Sequence, residues 1–288
     1  MKKNLIDLMV DYLEYSYTKK AKGSYVYDTS QYKYLVPFYE QNDINLVEDL
    51  KNTTWIKIIA FYKDKGLKNS TINKIAKFIC TVFNYYGITN PLGKRIILTD
   101  DTDSFIAATR EMMERIYKYL LKLDNQKNHL LYKLVIFLGR DTGLRRNEML
   151  NLKFSDISYN PNIINARFTK SKKNRITSFS NFTKKYIQMA YKKHGHLSDY
   201  VLYSYLDDKK CEKDSFYYVY RLLKKDLKID TSSHCIRKYF ATDMYVKLDG
   251  DLLTVQKFLG HKDPNQTKVY VDIPADFLLK QYKKVIKN

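Results

Sequence analysis

Apolar residues recur three and four positions apart through most of this 288-residue chain, which is the spacing of amphipathic helices. The pattern predicts helices over 3–20, 28–40, 52–64, 70–86, 104–123 and 128–142, and mostly helix from 180 onward. No strand-like alternation occurs before residue 90. The sequence therefore predicts a mainly helical protein.

The period changes in one place. Residues 163–168 and 175–179 are rich in β-branched and aromatic side chains, and the basic stretch 169–174 separates them. They predict a β-hairpin with lysines at its tip. The expected fold class is α+β, mainly α with a small hairpin or sheet.

A domain boundary is expected near residue 90. The run from Asn90 to Arg95 contains two helix breakers, Pro91 and Gly93, and two basic residues, Lys94 and Arg95. We place a helical domain at 1–90, a linker at 91–100 and a mixed domain at 101–288.

The charge balance points to a polyanionic partner. Lys and Arg number 51 against 31 Asp and Glu, a formal charge of +20. No acidic residue lies between Asp156 and Asp199, where nine basic residues would repel each other unless they face an anion. This run favours nucleic acid over an idle solvated surface.

Composition excludes several classes of protein. The 15% aromatic content argues against disorder, and no run approaches the roughly 20 apolar residues that span a bilayer. Cys80, Cys211 and Cys235 are scattered, which excludes a disulfide framework or a zinc ribbon. A soluble intracellular protein with reduced cysteines is expected.

The first motif is a glycine turn followed by an arginine. In Thr142-Gly143-Leu144-Arg145 the glycine permits a sharp turn, and Arg145 begins a short helix. Glu148 follows one turn later on the same face. An arginine at the start of a helix is well placed to bind an anion. An arginine and a glutamate three residues apart are, however, more often an ordinary surface ion pair.

The second motif is Lys170, in the turn between the two predicted strands. A flexible ammonium group there could contact a phosphate or donate a proton. Lys172 and Lys173 are alternatives, and non-specific phosphate contact is the simpler interpretation for all three.

The third and fourth motifs add two histidines, an arginine and a tyrosine. His234 and Arg237 lie on one face of a helix capped by Ser232-Ser233, able to converge on one phosphate. His261 follows Leu259-Gly260, and Tyr270 stands nine residues later, late on a short helix that begins at Pro264. Among 27 tyrosines, any single one is by default a packing residue.

Together the four motifs resemble the tyrosine recombinase, or phage integrase, family. Its pattern is a TGLR arginine, a lysine in a β-hairpin, an HxxR helix, and LGH followed by a nucleophilic tyrosine. The matching catalytic residues here are Arg145, Lys170, His234, Arg237, His261 and Tyr270. Arg175 matches the arginine that usually follows the lysine, which favours Lys170 over its neighbours. The resemblance covers the whole chain, since the family joins a helical DNA-clamping domain to a mixed catalytic domain.

The resemblance implies a reaction and a role for each residue. Arg145 and Arg237 would hold the phosphate, His234 and His261 would bond it and assist proton movement, and Lys170 would protonate the leaving 5′ oxygen. Glu148 would brace the arginine helix, and Tyr270 would attack to form a 3′-phosphotyrosine. The expected function is site-specific DNA recombination, with double-stranded DNA as partner and neither metal ion nor nucleotide as cofactor.

Further expectations concern DNA contact, assembly and location. Six residues are expected to contact DNA: Lys94, Arg95, Arg146, Lys172, Lys173 and Arg175. The tail 274–286 carries an apolar helical stripe, which either packs on its own domain or docks into a neighbouring subunit. We expect a monomer in free solution and a homotetramer on DNA, in the cytoplasm of a bacterial or phage-infected cell and associated with the nucleoid.

Three alternatives remain at this level. A type IB topoisomerase would use a similar site to relax supercoils. A repressor or accessory factor on the recombinase fold would bind DNA without exchanging strands. A helical scaffold protein would carry positive charge only for solubility.

Overall fold

The computed structural model describes residues 4–99, 107–124, 127–167, 175–261 and 263–286. The chain divides into two compact units, Met1–Ser104 and Phe105–Asn288. In the described residues no helix combines the length and the hydrophobicity needed to cross a membrane.

The first unit is helical, as its apolar spacing predicts. Its helices are α1 (Leu5–Lys19), α2 (Lys22–Gln41), α3 (Thr54–Asp64) and α4 (Asn69–Tyr85). The side chain of Asn4 caps α1 by accepting hydrogen bonds from the backbone N–H groups of Ile6 and Asp7. Helix α2 begins at Lys22, six residues before the predicted position.

Aromatic side chains fill much of the core of the first unit. Tyr12, Phe38, Trp55, Phe78 and Phe83 are almost fully buried in one cluster with aliphatic residues from the four helices. Each large apolar side chain of this kind contributes about 1.5–3 kcal/mol when it is removed from water. The apolar faces of the four helices thus meet in a single core.

The segment after α4 lies on the first unit. Leu92 is buried in its core, and the Asn73 side chain pairs with both the N–H and the carbonyl of Leu98, at 3.0 and 2.7 Å. The Asn69 side chain donates to the carbonyl of Thr99. Residues 91–99, which the sequence presents as a linker, are therefore anchored to this unit.

The second unit mixes helices with two small antiparallel sheets. Its helices are α5 (Arg110–Lys122), α6 (His129–Thr142), α7 (Arg146–Leu150), α8 (Asn181–His194), α9 (Lys213–Leu227), α10 (Ser233–Lys247), α11 (Leu252–Leu259), α12 (Pro264–Lys268) and α13 (Ala275–Ile286). Its strands are β1 (Ile157–Tyr159), β2 (Asn162–Ala166), β3 (Arg175–Ser178), β4 (Tyr203–Ser204) and β5 (Lys209–Lys210). The predicted α+β class, mainly α with a small sheet, is confirmed.

Helix α6 is the centre of the second unit. It is apolar on nearly every side and packs against α8, α9 and α10, as a helix without a polar face must. Its C-terminal end therefore lies deep in the unit, and the residues that follow it are held by the surrounding helices.

The larger sheet carries one arginine to the end of α6. The strand order is β1-β2-β3, and Ala166 of β2 lies opposite Arg175 at the start of β3. Thr177 of β3 donates its hydroxyl to the carbonyl of Thr142, the last residue of α6. This contact brings Arg175 close to the turn at Gly143.

Candidate active site

The glycine turn after α6 places Arg145. Gly143 ends the helix in the left-handed region, at φ +56°, and a Cβ there would run into the ring of Phe240. Only glycine fits both the conformation and the space. Arg145 then stands immediately before α7 as its N-cap residue. The helix thus begins at Arg146, one residue later than the sequence predicts.

Glu148 binds two arginines at once. Its carboxylate lies 2.9 Å from Nη1 of Arg145 and 2.6 Å from Nη2 of Arg175, and it also accepts the Arg145 backbone N–H. Burial alone would raise the pKa of Glu148, but the charge and hydrogen bond of Arg175 outweigh burial and lower it. A buried, ionised carboxylate thus braces both arginines.

Arg237 completes what we call the arginine cluster, namely Arg145, Arg175 and Arg237 around Glu148. The Arg237 side chain rises from α10 and is almost fully buried. Its guanidinium donates to the carbonyls of Gly143 and Leu259 and lies 3.1 Å from Nε2 of His261.

The C-terminal end of α11 receives all three arginines. The carbonyls of Phe258, Leu259 and Gly260 accept from Arg175, Arg237 and Arg145 respectively. A helix C-terminus carries partial negative charge and unpaired carbonyls, so it attracts cations. Gly260 turns the chain at φ +62°, and a Cβ there would lie 2.6 Å from Cδ of Arg175.

Positive charge in this cluster exceeds negative charge. Within the cluster as the structure describes it, three guanidinium groups surround the carboxylate of Glu148. Burial and the charges of Arg145 and Arg175 lower the pKa of Arg237. The Nε–H groups of Arg175 and Arg237 are buried without a hydrogen-bond acceptor. The arrangement suits an added anion with several acceptor oxygens, such as a phosphodiester.

His261 is buried beside Arg237. Burial, followed by the charges of Arg237 and Arg145, lowers the pKa of His261 to about 3. Its imidazole is therefore neutral at pH 7, with Nδ1 2.9 Å from the hydroxyl of Thr267.

Tyr270 lies against both histidines. Its hydroxyl is 3.3 Å from Nδ1 of His234, and its ring centroid is 5.1 Å from that of His261. Desolvation, followed by the charges of Arg237 and Arg146, lowers the pKa of His234, so this imidazole can accept a proton at neutral pH. Tyr270 stands in the turn after α12 and not on that helix, because the helix ends at Lys268.

The other residues predicted from the sequence fall in different places. Lys170, Lys172 and Lys173 lie outside the described residues. Arg146 is half-buried and donates to the hydroxyl of Tyr217. Lys94 is exposed and Arg95 is half-buried, both in the first unit.

Arg175 differs from the expectation that it contacts DNA from the surface. Its side chain is only 4% exposed, and it is engaged by Glu148 and two backbone carbonyls. The physical reason is the register of β3, which points Arg175 inward toward the end of α11, where a carboxylate and carbonyls compensate its charge. In this structure Arg175 is a buried residue that holds Glu148 and the end of α11 in place.

Two features of the site have only a weak signal in the sequence. One is Thr267, whose signal is its place three residues before Tyr270 and six after His261. The other is the double pairing of Glu148, which the sequence suggests only for Arg145. The described residues contain no grouping of three or more His, Cys, Asp or Glu that could hold a metal ion.

Comparisons with known proteins bear on the same residues. The model of the phage integrase family matches residues 108–275. A probable integrase/recombinase of Acholeplasma phage L2 is 29% identical over 276 residues, covering 93% of this chain and 95% of the relative. The tyrosine recombinase XerA of Saccharolobus solfataricus is 34% identical over 163 residues, covering 54% and 50%.

Among solved structures, the Tn1549 transposon integrase in complex with transposon right-end DNA has a similar fold. The TM-score is 0.75 at 16% identity, over 99% of this chain and 100% of that one. The likeness extends over both units of the chain.

Proposed function

This chain belongs to the phage integrase family of tyrosine recombinases, which cleave and rejoin DNA, and we propose that it does so with Tyr270 as its nucleophile. One observation carries the proposal: the Tyr270 hydroxyl lies 3.3 Å from a neutral imidazole, His234, beside the arginine cluster. Nucleophile, proton acceptor and phosphate-binding groups thus meet at one place.

The reaction follows from these positions. The Tyr270 oxygen attacks the phosphorus, His234 takes the phenolic proton, and the bond from phosphorus to the 5′ oxygen breaks. Arg145 and Arg237 stabilise the negative charge that builds on the non-bridging oxygens. The product is a 3′-phosphotyrosine and a free 5′ hydroxyl, and attack by another 5′ hydroxyl reverses the step.

Lys170 is the expected proton donor for the leaving 5′ oxygen. This role comes from the family resemblance, since Lys170 lies outside the described residues. No metal ion or nucleotide enters the scheme, because the energy of the broken bond is kept in the phosphotyrosine.

DNA is held, in this proposal, by basic side chains around the site and on the first unit. Arg146, Lys172 and Lys173 would contact the backbone near the cleaved phosphate, and Lys94 and Arg95 would do so from the first unit. Contacts of this kind release counterions, so duplex affinity should fall steeply with salt. We place the protein in the cytoplasm of a bacterial or phage-infected cell, on the nucleoid.

The experiment that tests the nucleophile begins with the DNA. Duplexes are selected by binding from the source genome, and cleavage is mapped on the best of them. Detergent quenching then traps protein bound to a 3′ phosphate, which a repressor or a scaffold protein never yields. Relaxation of a supercoiled plasmid that lacks the selected site would indicate a topoisomerase instead.

Tyr270→Phe is the critical variant. It removes one hydroxyl and no charge, so covalent attachment should vanish while affinity for the selected duplex stays within about twofold. Tyr191→Phe, which alters an exposed tyrosine on α8, is the matched control and should attach normally. Attachment by Tyr270→Phe at the wild-type rate would move the nucleophile to another tyrosine.

Helix α13 has one face packed on its own unit and one apolar face exposed. Phe277 packs against Tyr245 of the same unit, while Leu278, Leu279 and Tyr282 are more than half exposed. We propose that these exposed side chains dock on a neighbouring protomer, giving a monomer in free solution and dimers and tetramers on cognate DNA.

The two faces of α13 can be tested separately. Leu279→Ser should weaken cooperative binding to a full site while leaving half-site binding unchanged, as measured by mobility shift. Phe277→Ala should instead lower the melting temperature, because it creates a cavity. An equal loss from Leu279→Ser at half-site and full site would show that the exposed face does not join protomers.

A further inference from the structure

Thr267 lies at the centre of the segment that joins His261 to Tyr270. It stands on α12, its residue surface is completely buried, and its hydroxyl is 2.9 Å from Nδ1 of His261. Its carbonyl accepts the backbone N–H of Tyr270 at 2.9 Å. One residue therefore contacts both the buried histidine and the nucleophile.

The hydrogen bonds around His261 define its tautomer. Arginine only donates, so Nε2 of His261 must accept the hydrogen bond from Arg237. In a neutral imidazole the other nitrogen then carries the proton, and Nδ1–H donates to the Thr267 hydroxyl. Without an acceptor at this place, a buried N–H would have no partner, or the proton would move to Nε2 and oppose Arg237.

A hydroxyl suits this position better than a carbonyl or carboxylate would. It can accept from Nδ1–H, and after rotation it can donate to an unprotonated Nδ1. His261 can therefore accept from Arg237 when DNA is absent, or donate from Nε2 to a phosphate oxygen, with Thr267 bonded in both states.

We propose that Thr267 is a positioning residue, whose hydroxyl orients the His261 ring and stabilises its Nδ1–H tautomer when DNA is absent, and whose carbonyl holds Tyr270 beside the arginine cluster. The catalytic consequence rests on the function proposed above, whereas the hydrogen bond itself does not.

The tautomer is measured on the full-length protein without DNA. Nitrogen-15 NMR of histidine-labelled protein at pH 7 distinguishes a protonated Nδ1 from a protonated Nε2, and His261→Gln identifies the resonance among the five histidines. The expected result is Nδ1–H in the wild type. A wild-type Nε2–H tautomer would overturn the proposal without any variant and whatever the protein's activity.

Variants then test the hydroxyl. Thr267→Val keeps the shape of the side chain and removes the acceptor, so Nε2–H should become populated in the DNA-free protein. Single-turnover attachment to the selected duplex should slow about 10–100-fold, by analogy with the loss of a partner that orients a metal-binding histidine. Thr267→Ser should restore both the Nδ1–H signal and a rate within about threefold of wild type.

Thr183→Val is the matched control for stability. Thr183 is also completely buried, and its hydroxyl donates to Asp141 at 2.6 Å, a carboxylate outside the arginine cluster. This variant should lose stability without changing the His261 tautomer.

A slow Thr267→Val that keeps Nδ1–H, or a Thr267→Ser that fails to recover, would overturn the positioning role. Failure of the proposed function would look different, because the wild type itself would then form no covalent adduct.

Discussion

Each unit of this protein buries a charged cluster, and the two clusters are balanced differently. In the first unit the Asp28 carboxylate accepts from Ser16 at 2.7 Å and from Lys20 at 2.9 Å, so one acid meets one base. In the second unit the arginine cluster sets three guanidinium groups around Glu148. The first cluster is complete as it stands and ties α1 to α2, whereas the second leaves positive charge for a ligand.

This contrast separates a structural ion pair from a binding site better than burial does. Asp28 and Glu148 are both buried, but Lys20 keeps about a quarter of its side chain in water while Arg175 and Arg237 are almost fully enclosed. Water solvates a partly exposed cation, so that cation does not need a partner of opposite charge. A fully buried cation does need one, because nothing else offsets its loss of hydration. The following predictions test the comparison from the largest expected effect to the smallest.

The largest difference is expected when each carboxylate is neutralised. Glu148→Gln leaves two buried arginines without their counter-charge and should cost about 3–5 kcal/mol of stability. Asp28→Asn should cost about 1–2 kcal/mol, since Lys20 can turn to solvent. Chemical denaturation, with hydrogen exchange reporting on each unit separately, measures both values. Equal costs would show that the excess of positive charge is not what distinguishes the clusters.

Mild acid should destabilise the second unit alone. All five histidines lie beyond residue 128, and burial is the main cause that lowers the pKa values of His194 and His261 below their ordinary 6.5. The unfolded chain takes up these protons as the pH falls through 6.5 while the folded chain does not, so stability is full above that pH and is lost below it.

Between pH 7 and 5.5 the loss should be about 1 kcal/mol for His261, whose pKa of about 3 keeps it neutral in the folded chain, with a further loss from His194. Hydrogen exchange at the two pH values, corrected for the intrinsic exchange rate, measures the effect in each unit. The first unit, which has no histidine, serves as the internal control. A matching loss there would assign the effect to some other group.

The smallest expected effect is stabilisation by a simple anion. Sulfate at about ten times its dissociation constant should stabilise the second unit by about 1.4 kcal/mol and leave the first unit unchanged. Sodium chloride at matched ionic strength controls for screening. Arg237→Gln should abolish the sulfate effect, and a variant that still responds would move the anion to another basic surface.

The sequence predicted most helices because an apolar stripe is a local signal. Helices α1 and α4 carry it over several turns, and β2 and β3 were recognised by their branched side chains. Strands β1, β4 and β5 are not predicted, since two or three residues are too few to show an alternation of apolar and polar side chains. The anchoring of 91–99 depends on Asn73, which lies 25 residues before its partner Leu98, so no local pattern predicts it.

The candidate site also depends on contacts between distant residues, which sequence patterns do not reveal. Motif order identified Arg145, His234, Arg237, His261 and Tyr270, which the structure brings together. Which cations face inward could not be read from that order. The sequence matches Arg175 to the arginine that follows the family's lysine and predicts a DNA contact, but only the pairing of β3 with β2 turns it toward Glu148.

The carbonyl of Gly143 accepts from both Arg175 and Arg237, two residues that reach it from a strand and from a distant helix. Two side chains that share one acceptor do not vary independently, and their substitution energies should not add. Over evolutionary time such positions are expected to change together or to stay fixed together. A designer who grafts this site onto another scaffold must therefore transfer four segments together: the end of α6, strand β3, helix α10 and the end of α11.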